Sequence, residues 1–237
     1  MFDDITKTLF LGLLIFLVGF LYCCFKRSIK RPMVSVCIVA IWLLITGILS
    51  VKGFFMRFDV LPPRILFAIV PMVLVLIYTA ISSKVLPLLT HIPQTWLIYV
   101  QAFRIVMEMV LWLLAKEKLV PEIMTWDGHN FDILIGITAP MVAYLCFTIN
   151  KWSPKIALVW NWLGILFLLN VFVHGLLSAP TPFQVFVTNP PNTFVGYFPY
   201  TWLPAFVVPC AILFHILSIR KIVNSAGLYT QKLLPKN

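Results

Sequence analysis

Charge is scarce in this chain. Only 11% of its 237 residues are charged, and just eight are Asp or Glu. A soluble domain carries about 25% charged and roughly 45–50% apolar residues. Here 61% are apolar, which excludes an ordinary aqueous fold. The sequence has no GxGxxG, no Walker loop, no HExxH and no GxSxG. The spacings that cradle phosphate, hold catalytic zinc or present a nucleophilic serine are therefore missing. There is no CxxC, and Cys23, Cys24, Cys37, Cys146 and Cys210 all lie in apolar runs or at their ends. That placement excludes a disulfide framework and a zinc ribbon. No GxxxG helix-dimer signature, internal repeat or low-complexity segment is present, and no lysine sits centrally in the last apolar run.

What the chain does have is length of hydrocarbon. Apolar runs cover residues 8–25, 33–51, 65–81, 93–115, 131–149, 155–178 and 201–219. Each approaches the roughly 20 residues that cross a bilayer. The expected fold is an all-α membrane protein, a seven-transmembrane-helix bundle forming one integral domain over residues 1–237. The first run is followed, not preceded, by Lys26, Arg27, Lys30 and Arg31, so it reads as a span and not as a signal peptide.

The formal charge of +10 would suggest nucleic acid in a soluble protein; beside apolar runs it reports orientation instead. Alternate connections place Lys26, Arg27, Lys30, Arg31, Lys84, Lys151, Lys155, Arg220, Lys221, Lys232 and Lys236 on one side, with no acid. The other side holds Lys7, Lys52, Arg57, Arg64, Lys116 and Lys118 with nearly all the carboxylates. The bias predicts an outside N-terminus and a cytoplasmic C-terminus. The expected partners are the lipid bilayer and a small-molecule ligand, with no nucleic acid. Two outer segments are long: residues 116–130, and residues 179–200, which hold five prolines and no charge. The second is expected to lie over the bundle as a cover.

The main polar signal is in the fourth run. Gln101, Arg104 and Glu108 fall within about 60° on a helix of 100° per residue, one stripe facing the bundle. Arg104 and Glu108 are spaced i, i+4 and are expected to pair. Asn170 and His174 share a face of the sixth run at a compatible depth, with Asp127, His129 and Asp132 just above. Together these residues predict an outward-facing polar pocket. Imidazole with carboxylate suits zinc, but the spacing matches no metal motif, so neither metal nor cofactor is expected. Asp127-Gly128 reads as a turn, Asn130 as an N-cap and Asp132 as a first-turn acid. Asn161 falls on the opposite face, nearer the cytoplasm. His91 and His215 read as packing residues beyond reach of the outer group.

The stretches Met124-Thr125-Trp126-Asp127-Gly128-His129-Asn130-Phe131-Asp132 and Tyr197-Phe198-Pro199-Tyr200-Thr201-Trp202-Leu203-Pro204 resemble a group of uncharacterised small bacterial multi-pass membrane proteins. The resemblance implies a bacterial cytoplasmic membrane and no activity. Seven spans with an outside N-terminus also resemble the alkaline ceramidase and progestin-receptor-like hydrolases. Those need three histidines and an aspartate around zinc, with paired histidines in the last span. This chain has only His215 there. The leading expectation is binding or movement of a small solute or proton. The alternatives are a metal-dependent hydrolase and a noncatalytic membrane subunit.

Overall fold

The computed structural model describes residues 2–233, with side chains over 4–225. The side chains of Asp3, Lys232 and Lys236, which entered the charge count, lie outside that range. Helices dominate: α1 Phe2–Ser28, α2 Pro32–Val51, α3 Leu66–Ile81, a short α4 Ser83–Leu89, α5 Gln94–Lys116, α6 Asp132–Phe147, α7 Pro154–Ser178 and α8 Val208–Leu233. No strand occurs among the described residues. Local chemistry sets several ends. Ser153 Oγ accepts the Lys155 N–H at 3.3 Å and Pro154 opens α7, a capped start with a proline where no N–H is needed.

Among the described residues, five helices are long and apolar enough to cross a membrane: α1, α2, α5, α7 and the α8 region. The α3 and α4 pair passes the same test only when taken together, bent by 78° at its break. The run at 131–149 folds shorter than its hydropathy predicts. α6 has 16 residues, about 24 Å at 1.5 Å per residue, against a hydrocarbon core of about 30 Å. The segment before it is buried at Val120, Met124, Thr125 and Asn130, so the chain dips into the bundle before α6 begins. α8 continues past Ile219, where the sequence reading ended the last run, to Leu233.

Both ends of the bundle are tied by named contacts. At one end the Arg27 guanidinium lies 4.3 Å over the Trp96 ring, Lys221 Nζ donates to the carbonyls of Leu89 (2.7 Å) and Ile92, and Arg220 donates to the Thr79 carbonyl. At the other, the Thr6 and Tyr200 hydroxyls meet at 3.0 Å and those of Ser50 and Thr201 at 2.6 Å. On the connection after α2, Arg57 forks onto Asp59 at 3.0 and 3.1 Å and holds that carboxyl below its usual range. The core runs between them through Phe10, Leu17, Leu97, Val110, Leu114 and Phe214. The outer faces of α2 and α3 stay apolar and exposed at Ile38, Ile41, Leu44, Leu74 and Ile77. A continuous apolar face of this kind suits hydrocarbon, not water.

A π-helical turn at Leu203–Val207 precedes α8. Pro209 has no N–H to give the Ala205 carbonyl four residues back. The Trp42 indole N–H from α2 donates to it instead, at 3.0 Å. This explains a tryptophan placed mid-run, away from any interfacial belt.

Candidate functional site

Arg104 is the centre of the site. It is 2% exposed, and the bundle gives it partners from three helices. Nη2 donates to Asp132 Oδ1 at the start of α6 and to the Gly164 carbonyl of α7 at 3.4 Å, and Nη1 faces His215 Nε2 of α8 at 3.0 Å. A guanidinium only donates, so His215 Nε2 must accept and its Nδ1–H must donate. That proton goes to Asn161 Oδ1 at 2.8 Å. Asn161 Nδ2 then donates to Ser218 Oγ at 2.9 Å, which Gln94 Nε2 also reaches at 2.6 Å.

Two glycines make the approach possible. A Cβ on Gly136 would stand 2.9 Å from Ile105 Cγ1 and 3.0 Å from the Ile105 nitrogen, so α6 lies directly on α5 one turn below Asp132. A Cβ on Gly164 would collide with the His215 ring.

Glu108 stands apart from Arg104. Its Oε1 accepts from Asn130 Nδ2 at 2.7 Å. Asn130 Oδ1 in turn accepts the Asp132 N–H at 2.9 Å. The expected Arg104–Glu108 pair is therefore replaced by Arg104–Asp132. The reason is the short α6: its acidic first turn sits inside the bundle and brings a carboxylate closer to the guanidinium than the helix spacing does. Asp132 thus belongs to the interior, 6% exposed, and not to the outer loop. His215 is likewise no remote packing residue, since it touches Arg104.

The remaining sequence candidates divide. His129, Asn170 and His174 come together: the imidazole rings stack at 5.5 Å, and Asn170 Nδ2 donates to the His129 carbonyl at 2.6 Å. His174 also stacks on Phe186 from the 179–200 segment at 5.4 Å. Asp127 is exposed and turns to Trp112 Nε1 at 3.0 Å and Lys116 Nζ at 3.6 Å. Gln101 Nε2 donates to the Ala211 carbonyl at 2.9 Å. Among the described residues, no three His, Cys, Asp or Glu gather as a metal site.

Three atoms along the α5 stripe are buried without a partner: Gln101 Oε1, Arg104 Nε and Glu108 Oε2. The great majority of buried polar groups in folded proteins are hydrogen-bonded, so three unpartnered atoms on one helix face stand out. Two of the three accept and one donates. The cluster holds one guanidinium and two carboxyl groups, Asp132 on Arg104 and Glu108 apart from it on Asn130.

Sequence reasoning missed Asn130 as a Glu108 partner and Ser218 altogether, and it set Asn161 and His215 apart from the site. The available signal was the type of residue, polar groups inside apolar runs.

The profile of a protein family described as a domain of unknown function (DUF8737) matches residues 62–223. The chain belongs to that family. No curated protein and no solved structure matches it. The DUF8737 segment runs from just before α3 into α8 and contains every residue of the Arg104 and Glu108 network.

Proposed function

We propose that the chain is a seven-pass protein of a bacterial cytoplasmic membrane, N-terminus outside and C-terminus inside, that binds a small cationic solute or a proton at Gln101, Arg104 and Glu108. The observation that carries this is the unpartnered set on α5. It leaves Glu108 Oε2 as a buried acceptor without a donor, which a proton or a small donor-bearing cation would satisfy.

Seven passes are supported by the tied ends of the bundle, where the ends of α1, α2, α3, α5 and α8 fall on alternating sides. The buried approach to α6 supplies the length that this helix lacks. The side bearing Arg27, Lys84, Lys151 and Lys221 has no acid, which favours the cytoplasm.

Access from outside is supported by the company Glu108 keeps. Its partner Asn130 also donates to the Met124 carbonyl at 3.0 Å, in the connection before α6. The 179–200 segment lies over that region: Asn192 Nδ2 donates to the Gly175 carbonyl at 2.7 Å and Phe186 covers His174. On the inward side the chain of contacts passes through Arg104, which has no lone pair to take up a proton. The arrangement therefore favours a binding site over an open proton conduit. Movement across the bundle would require the Arg104–His215 contact to open.

Thermal unfolding of the purified protein tests the reading. A guest that binds only the folded form raises the melting temperature in proportion to the logarithm of its concentration. Wild type titrated with ammonium, methylammonium, guanidinium and choline, and separately across pH, should respond to one of these variables. Glu108→Gln should abolish that response. Identical melts for the two proteins under every condition would end the proposal.

A further inference from the structure

A second feature ties the two long connections to α7 through aromatic rings. His174, half-buried on α7, meets the exposed His129 of the 116–130 connection at 5.5 Å between centroids and 4° between planes. It meets Phe186 of the 179–200 segment at 5.4 Å and 10°. His129 is the neighbour of Asn130, the residue bonded to Glu108.

The hydrogen bonds fix where a proton can go. The Asn170 carbonyl only accepts, so His174 Nδ1, 2.8 Å away, carries its hydrogen and Nε2 keeps the lone pair. A proton at Nε2 therefore makes His174 a cation without breaking that bond. Imidazole is the side chain whose charge ordinarily changes between about pH 5 and 8.

The two neighbours of His174 respond in opposite ways. Two imidazolium rings at 5.5 Å repel as like charges. A phenyl ring instead attracts a cation placed against its face. Phe186 also has an anchor of its own, since its N–H donates to the Leu177 carbonyl at 2.9 Å. Nearby charges do not offset the repulsion. The 179–200 segment has none, and α7 has only Lys155, at its opposite end. On α5 and α6, Arg104 holds Asp132 and Glu108 is bonded to Asn130. In the connection Asp127 turns to Lys116, which leaves Glu117, Lys118 and Glu122. Among the described residues, no carboxylate forms an ion pair with either imidazole.

We infer that His129 and His174 form an acid-operated clasp: when both rings are protonated the 116–130 connection parts from α7, while the 179–200 segment stays on His174 through Phe186. The clasp uses none of the α5 stripe, and its test reads distances and not a guest. It therefore stands or falls apart from the proposed binding site.

The test is a pair of nitroxide labels on the full chain in detergent, in a cysteine-free background, with their separation measured by pulsed electron paramagnetic resonance. One pair, Glu122→Cys with Val173→Cys, spans the connection and α7 at exposed positions. Between about pH 7.5 and about pH 5 a longer-distance population should grow about threefold or more, the effect of two unit charges this close even in water. A second pair, Val173→Cys with Val187→Cys, should keep its distance at both pH values. His174→Phe and His129→Phe keep a ring but hold no proton, and each should abolish the growth. An unchanged first pair, growth that persists in either variant, or movement of the second pair would overturn the inference. Should His174→Phe fail to fold, His129→Phe at its exposed position decides alone.

Discussion

At the scale of residues, the buried pair makes the sharpest demand. Removing one partner of a buried ion pair leaves an uncompensated charge and costs about 3–5 kcal/mol, while replacing both with apolar groups is often close to neutral. Arg104→Met or Asp132→Leu alone should each lower the detergent melting temperature strongly, and the double variant should recover most of the loss. Glu108→Leu in place of Asp132→Leu should give no such recovery, because Glu108 bonds Asn130 and not Arg104. Gly164→Ala should cost about 1–3 kcal/mol by overpacking, since the new methyl meets the His215 ring. Gly19→Ala, on α1 with nothing within 4 Å of the added methyl, lacks that collision and serves as the control. The types in this cluster were readable in the sequence: charge inside an apolar run is costly enough to draw notice. Their pairing was not. Helix spacing favours Arg104 with Glu108, and only the depth at which α6 starts gives Asp132 the advantage.

At the scale of elements, the last helix shows why a periodic reading loses accuracy along a span. A π turn inserts extra residues per turn, so every later side chain is rotated from where a regular helix puts it. Seven apolar runs were legible because burying about 20 residues of hydrocarbon leaves a long and simple pattern. The face presented by His215 and Ser218 was not, since it depends on the turn at Leu203–Val207. The Trp42 bond to the Ala205 carbonyl gives a direct check. Trp42→Phe should destabilise by about 1–3 kcal/mol by leaving that carbonyl unpaired. Pro209→Ala added to it should restore part of the loss, because alanine returns the missing N–H. Absence of any rescue would show that the carbonyl is satisfied in another way.

At the scale of the whole molecule, the prediction concerns sidedness. Single cysteines replacing Asp59 and Lys151 in a cysteine-free background should react differently in intact cells. An impermeant thiol reagent should modify position 59 at once and position 151 only after lysis. The reverse pattern would invert the orientation and the proposed direction of access. The expected orientation rests on lysine and arginine near short connections, which resist transfer across the membrane, and this labelling tests it. The cover over the bundle was legible only in outline: proline and the absence of charge in 179–200 predicted a surface-lying segment, while its anchors, Asn192 on Gly175 and Phe186 on His174, depend on tertiary placement.

The position of α8 among its neighbours bears on biogenesis. Gln94 waits for Ser218, Gln101 for the Ala211 carbonyl, Arg104 for His215, and the carbonyls of Leu89 and Ile92 for Lys221. A chain is made from its N-terminus, so all of these groups are made before their partners exist. The nascent protein up to α7 is a bundle with an open polar seam, a state in which insertion machinery or a quality-control protease has something to grip. A fragment of residues 1–178 should therefore be short-lived in cells, and co-expression of residues 179–237 should extend its lifetime. Equal turnover with and without the second fragment would mean that the early helices close the seam by themselves.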